Sequence, residues 1–190
     1  MSEEDMLATI RTDCWNRALD AFGYSYIYKI RIESIEPWMR WSKVAGIVGP
    51  VFVGGIVGTY SDNNKLISGV LLATGLVSVV QLVISTYLTV SGSDENITLF
   101  SKLTAEYSIL NSEFELLARF PLSDLSEYRK RYEVLVERER VLSRNGSLSD
   151  KELRKAMRSG LRNYRRNCAG CDLVPTSIES TDCNVCGNFY

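Results

Sequence analysis

Two uncharged runs decide how this chain is first read. Val44 to Tyr60 is VAGIVGPVFVGGIVGTY, and Leu66 to Val90 is LISGVLLATGLVSVVQLVISTYLTV. They are 17 and 25 residues long. A bilayer core takes about 20 helical residues. The second run is long enough with some tilt, and the first reaches that length by adding Trp41 and Ser42, with Lys43 near the head groups. Two buried helices of a soluble core are the other reading, but the rest of a 190-residue chain supplies little shell for both. The runs therefore predict a transmembrane hairpin, with spans 44–60 and 66–90 joined by Ser61–Lys65.

So short a loop makes the spans antiparallel and puts both tails on one side. Lys29, Arg31, Arg40 and Lys43 precede the first span, whereas the loop holds only Lys65, so the positive-inside rule places both tails in the cytoplasm. Trp38, Trp41, Tyr60 and Tyr87 fit interfacial anchors. The acidic start, MSEEDM, does not fit a signal peptide.

Outside the runs the pattern is helical. In residues 1–43, Leu7, Ile10, Cys14, Ala18 and Phe22 share a face; Tyr24, Tyr28, Ile32 and Ile35 extend it, although Tyr24, Tyr26, Tyr28, Ile30 and Ile32 also alternate like a strand. Further on, Phe100, Leu103, Tyr107, Leu110, Phe114 and Leu117 follow heptad spacing as far as Pro121. A second helix carries Tyr128, Tyr132, Leu135 and Leu142, and Asn145-Gly146 marks a turn. Ser149 with Glu152 forms a capping box opening a third. These stripes suit a helical hairpin packing on itself, which covers much of the apolar surface, and are compatible with helix pairing between subunits. The expected class is an all-α membrane protein: a cytoplasmic helical region 1–43, the hairpin 44–90, a cytoplasmic helical domain 94–166 with a basic face, and a zinc-binding tail 167–190.

The chemistry is narrowed by what is missing. There is no histidine, which removes Ser-His and Cys-His pairs and imidazole metal ligands. No phosphate loop, paired-acid constellation or nucleophile motif appears, so the chain is not expected to be an enzyme and no catalytic residue is assigned. The strongest local signal is Cys168-Ala-Gly-Cys171 and Cys183-Asn-Val-Cys186, two CxxC pairs 11 residues apart. Each can offer two thiolates from a tight turn, with Gly170 and Gly187 giving the backbone freedom. Four sulfurs make a closed tetrahedral site for structural zinc. Disulfides and an iron–sulfur cluster are the alternatives, and reduced cytoplasmic thiols disfavour the first. Cys14 stands alone and reads as a small packed residue.

Charge is the second signal. Between Tyr128 and Arg166 there are 13 Lys/Arg and 5 Asp/Glu, against 2 and 7 in residues 94–127. Lys151, Arg154, Lys155, Arg158, Arg162, Arg165 and Arg166 make one basic stripe with few acids, suited to phosphate oxygens. Tyr164 lies among them and could stack on a base. A nucleotide, a nucleic acid and anionic lipid head groups all fit such a face. A third signal lies in the second span, where Thr74, Ser78, Gln81 and Ser85 share a face. They suit either helix–helix hydrogen bonds or a pore lining, and two spans per chain would need an oligomer to enclose a pore.

A cytoplasmic helix, a two-span hairpin with a short loop and a helical tail resemble the SLATT group of two-transmembrane effectors, encoded beside nucleotidyltransferases in prokaryotic antiphage systems. The CxxC pairs and their 11-residue gap are similar to the mobilome proteins named for that spacing, and the whole resembles the membrane effectors of Hailong-type systems. The resemblance implies a homo-oligomer, tetrameric or larger, forming a pore in the bacterial inner membrane and causing abortive infection. It also implies a partner nucleotidyltransferase whose nucleotide or oligonucleotide product binds the basic helix Lys151–Arg166. The other function that the residues allow is a membrane-anchored nucleic-acid-binding or scaffold protein without a pore.

Overall fold

In a computed structural model, residues 3–59, 69, 75, 76, 78–84, 86, 87 and 93–190 are described. They are helical or irregular, with no strand among them. Four helices have defined limits: α1 (Glu3–Thr59), α2 (Ser93–Arg119), α3 (Leu125–Asn145) and α4 (Asp150–Tyr164). The chain divides into two compact units, Met1–Arg31 with Phe100–Tyr190, and Ile32–Leu99.

The expected transmembrane hairpin is corrected here. Residues 44–59 are not a helix of their own, because they continue the 57-residue α1. Among the described residues no helix is long and apolar enough to cross a membrane. The physical reason is length and composition: residues 44–59 of α1 give only 16 uncharged positions, with Pro50 and five glycines among them, where a span takes about 20 predominantly apolar residues. Ahead of that run the same helix begins with three acidic residues, carries Arg11, Asp13, Arg17, Asp20, Lys29 and Arg31, and lays one face of this earlier stretch against protein. Most of the second run, with Thr74 and Ser85 of the polar stripe, lies outside the described residues. Ser78 and Gln81 are helical, the first exposed and the second half-buried.

The first unit is built from the stripes. Along α1, Ile10, Cys14, Ala18, Ala21 and Tyr28 are buried; along α2, so are Leu103, Tyr107, Leu110, Phe114 and Leu117, and Tyr128 and Leu142 close the core from α3. Residues three and four apart lie on one helical face, so each helix turns a continuous apolar strip inward. Burial of side chains this large contributes about 1.5–3 kcal/mol each before ordering costs. Aromatic rings fill the middle: Tyr28 stacks on Tyr107 at 5.8 Å and on Phe100 at 5.9 Å between centroids.

Polar contacts fix the register. Arg138 on α3 reaches Glu106 at 2.7 Å and Glu113 at 2.8 Å on α2. Arg17 on α1 pairs with Glu139 on α3 and with Asp13 of its own helix. Helix α4 opens on the capping box expected at Ser149 and Glu152. It crosses α1 closely: a Cβ at Gly160 would come within 2.7 Å of the Leu19 carbonyl oxygen, and one at Gly23 within 2.5 Å of that of Ala156. Those positions admit only glycine without a shift of one backbone.

Candidate metal centre

The cysteine tail follows from how α4 ends. Arg165 takes a left-handed conformation at φ 50°, its N–H meeting the Arg162 carbonyl, while Arg166 N–H donates to Leu161 O at 3.0 Å. This double bond pattern stops the helix and turns the chain back. Cys168 follows at once, tied by its N–H to Leu173 O at 3.0 Å.

The two CxxC segments then fold alike. Gly170 N–H donates to Cys168 Sγ at 3.3 Å and Asp172 N–H to Cys168 O at 2.8 Å. Fifteen residues on, Val185 N–H donates to Cys183 Sγ at 3.5 Å and Gly187 N–H to Cys183 O at 2.8 Å. Each first cysteine thus accepts from the amide two residues later at sulfur, and from the amide four later at oxygen. Amide donors at sulfur favour thiolate over thiol. Cys183, with amides from Cys186 and Val185 directed to it, is held down at about 6, whereas burial pushes the Cys186 thiol up. Gly170 and Gly187 serve differently from the expectation. The left-handed residues are Asp172 at φ 54° and Asn188 at φ 50°. The glycines are needed for room instead, since a Cβ at Gly170 would lie 2.6 Å from Val185 Cγ2 and one at Gly187 2.4 Å from Thr181 O.

The four sulfurs all lie within 4.8 Å of one another. Cys168 faces Cys183 and Cys171 faces Cys186, both at 3.8 Å. An ideal tetrahedral thiolate site with metal–sulfur bonds of about 2.3 Å has edges of about 3.8 Å. Disulfide bonding needs about 2.05 Å, so all five cysteines are free thiols here. Cys168, Cys171, Cys183 and Cys186 therefore fit one metal ion. Leu19 and Leu161 pack against Cys168 and Cys186, which are 1% and 0% exposed. With four protein ligands the ion would have no open position, so it would join the tail to itself and offer no Lewis-acid chemistry.

The structure sorts the basic stripe by environment. Arg158, at its centre, is buried, and its Nε donates to Ser177 O at 2.8 Å. Arg154 donates to Asn188 O at 2.9 Å and Arg166 to Asn16 Oδ1 at 2.7 Å, neutral partners both. Lys151, Arg162 and Arg165 are exposed and Lys155 is half-buried. Tyr164 is packed inward. Its ring meets Trp15 and Phe22 edge-on at 6.2 and 6.3 Å, and its hydroxyl donates to Glu115 Oε1 while accepting from Asn111 Nδ2. Burial and the Glu115 bond raise its hydroxyl above the ordinary tyrosine value. Sequence reasoning did not foresee that Arg158 and Tyr164 would be turned into the fold. For Tyr164 the available signal was Ala156 with Gly160, small residues four apart on the same helix face that let α4 pack closely; Arg158 lies on the other side of the helix, and nothing local marks it.

No curated protein and no solved structure matches this chain. One family does, over residues 11–189. That span includes the paired cysteine turns and nearly all of the helical scaffold that carries them, and the chain belongs to the mobilome CxxCx(11)CxxC protein family.

Proposed function

We propose that this chain is an effector of an antiphage defence system, with its tail held by structural zinc, that binds a phosphorylated nucleotide or oligonucleotide through α4. A partner nucleotidyltransferase supplies the ligand, and the chain works as a homo-oligomer. The pore expected from the sequence depended on the corrected membrane hairpin and is not carried forward. Zinc is favoured by four sulfur ligands with no imidazole or carboxylate among them.

The observation that carries the reading is a contrast between two basic helices. On α3, four of the six basic residues, Arg129, Arg131, Arg138 and Arg140, pair with glutamates, and Lys130 and Arg144 have no ion pair among the described residues. On α4 and just beyond it, Lys151, Lys155, Arg162 and Arg165 have no ion pair among the described residues. Cations left without counter-charge on one short helix attract phosphate and gain affinity by releasing its counterions.

The test is fluorescence anisotropy of the zinc-loaded full chain with labelled short oligonucleotides and cyclic dinucleotides. Binding is expected to weaken at least about tenfold in the variant Lys151→Glu, Lys155→Glu, Arg162→Glu, with a shallower salt slope. Binding that this triple reversal leaves unchanged would refute the assignment, as would no binding of any phosphorylated probe.

A further inference from the structure

Arg158 is the only charged side chain that is buried among the described residues, at 7% exposure. It sits mid-helix on α4, and its guanidinium turns away from solvent into the cysteine tail. Nε donates to Ser177 O at 2.8 Å; Nη1 lies 3.4 Å from Thr181 Oγ1, 3.4 Å from Cys186 O and 3.8 Å from Cys186 Sγ. No carboxylate pairs with it among the described residues. A buried guanidinium without a counter-anion is strongly unfavourable, and carbonyl oxygens supply only partial charge. Among the described residues, the one group in hydrogen-bonding contact that can carry a full negative charge is the Cys186 sulfur. A divalent ion bound by four thiolates leaves a dianion, which is as unfavourable to bury alone as the cation is. Each solves the other's problem.

We infer that Arg158 is the positioning counter-cation of the metal centre. Its charge offsets that of the tetrathiolate through Cys186 Sγ. Its bonds to Ser177 and Cys186 oxygens hold both ends of the segment that brings the second CxxC pair against the first. This goes beyond binding of an outside ligand, since it withdraws Arg158 from that role. It rests on the metal site proposed above, and the two are separable by experiment.

The experiment is cobalt(II) titration of the reduced full chain, read by thiolate-to-cobalt charge-transfer absorbance, followed by zinc displacement to obtain affinity. A wild-type chain that takes up no cobalt or zinc would remove the metal site itself. Given uptake, Arg158→Met, which keeps the aliphatic stem, is expected to bind about 10–100-fold more weakly, the usual effect of losing a partner of a metal ligand. Arg158→Lys is expected to recover most of that loss, and Arg144→Gln, an exposed charge removal on α3, to change nothing. Wild-type affinity in Arg158→Met would overturn the inference, as would Arg158→Lys binding no better than Arg158→Met. If Arg158→Met loses its helical circular dichroism even with zinc, Arg158→Lys decides. Metal bound within about tenfold of wild type then supports the charge role, whereas a folded chain without metal, or an unfolded one, assigns Arg158 to shape alone.

Discussion

Glu152 joins two devices, and breaking it gives the sharpest stability prediction. Within α4 it completes the cap, accepting from Ser149 N–H at 2.8 Å. Across to α1 it meets Arg31 in a two-pronged pair, Nε to Oε1 and Nη2 to Oε2, both at 2.7 Å. The same guanidinium donates to Ser147 O at 3.1 Å and lies over the rings of Phe100 and Tyr28. The Arg31 bonds hold the Glu152 carboxyl at about 2 where 4.5 is ordinary, and the Ser149 donors add to this. At about 1.4 kcal/mol per pH unit, that corresponds to a ceiling near 3 kcal/mol. Both side chains are about a quarter exposed, at 25% and 28%, and solvent screening brings the expected value to about 2 kcal/mol. Because the folded chain holds the proton less tightly than the unfolded one, this stability is complete above pH 4.5 and is lost as pH falls towards 2. The assay is urea unfolding of wild type, Glu152→Gln, Arg31→Met and the double variant, followed by far-ultraviolet circular dichroism. At pH 7 the double-mutant cycle should give a coupling of about 1–2 kcal/mol. Acid also removes metal from thiolates, but equally in wild type and Glu152→Gln, so their difference isolates the carboxylate. That difference should shrink steadily below pH 4.5. A coupling under about 0.3 kcal/mol, or a gap that does not change with acid, would refute the reasoning.

Two further predictions concern the metal and a neighbouring carboxyl. Purified chain should hold one metal equivalent by elemental analysis, and chelation or Cys171→Ser should lower Tm by about 5 °C or more by unfolding the tail; a chelated chain with unchanged Tm would contradict this. Asp20 is raised to about 6 by burial and by Glu139, with Asp13 adding to the effect and Arg17 opposing it. Its folded form holds the proton more tightly than the unfolded one, so it lowers stability as pH rises from 3.8 through 6, and Asp20→Asn should stabilise by about 1–2 kcal/mol at pH 7.5 and by almost nothing at pH 3.5. Equal effects at both pH values in urea unfolding would show that ionisation is not the cause.

How much of this was legible depends on whether a feature is set by neighbours in sequence or in space. The α2 stripe from Leu103 to Leu117 and the capping box at Ser149 and Glu152 could be read directly, because helical period and cap chemistry act over three or four residues. The cysteine site was legible because the CxxC spacing alone puts two sulfurs at one end of a turn. Continuity of α1 was not, since Pro37 and Pro50 each remove a helical donor and a change in composition at Lys43 looks like a boundary. The basic stripe shows the limit most clearly. Charge counts treat Arg158 and Arg162 alike, four residues apart on one face. In the fold, residues 177–186 return over that face and cover the first while leaving the second in solvent. A periodic pattern reports which side chains share a face, not what comes to lie against it. An arginine stripe next to a cysteine cluster is therefore ambiguous between an outside anion and the cluster's own thiolates. Here Arg158 is covered by residues 177–186, with Cys186 Sγ 3.8 Å from its Nη1, whereas Lys151, Arg162 and Arg165 stay exposed to solvent.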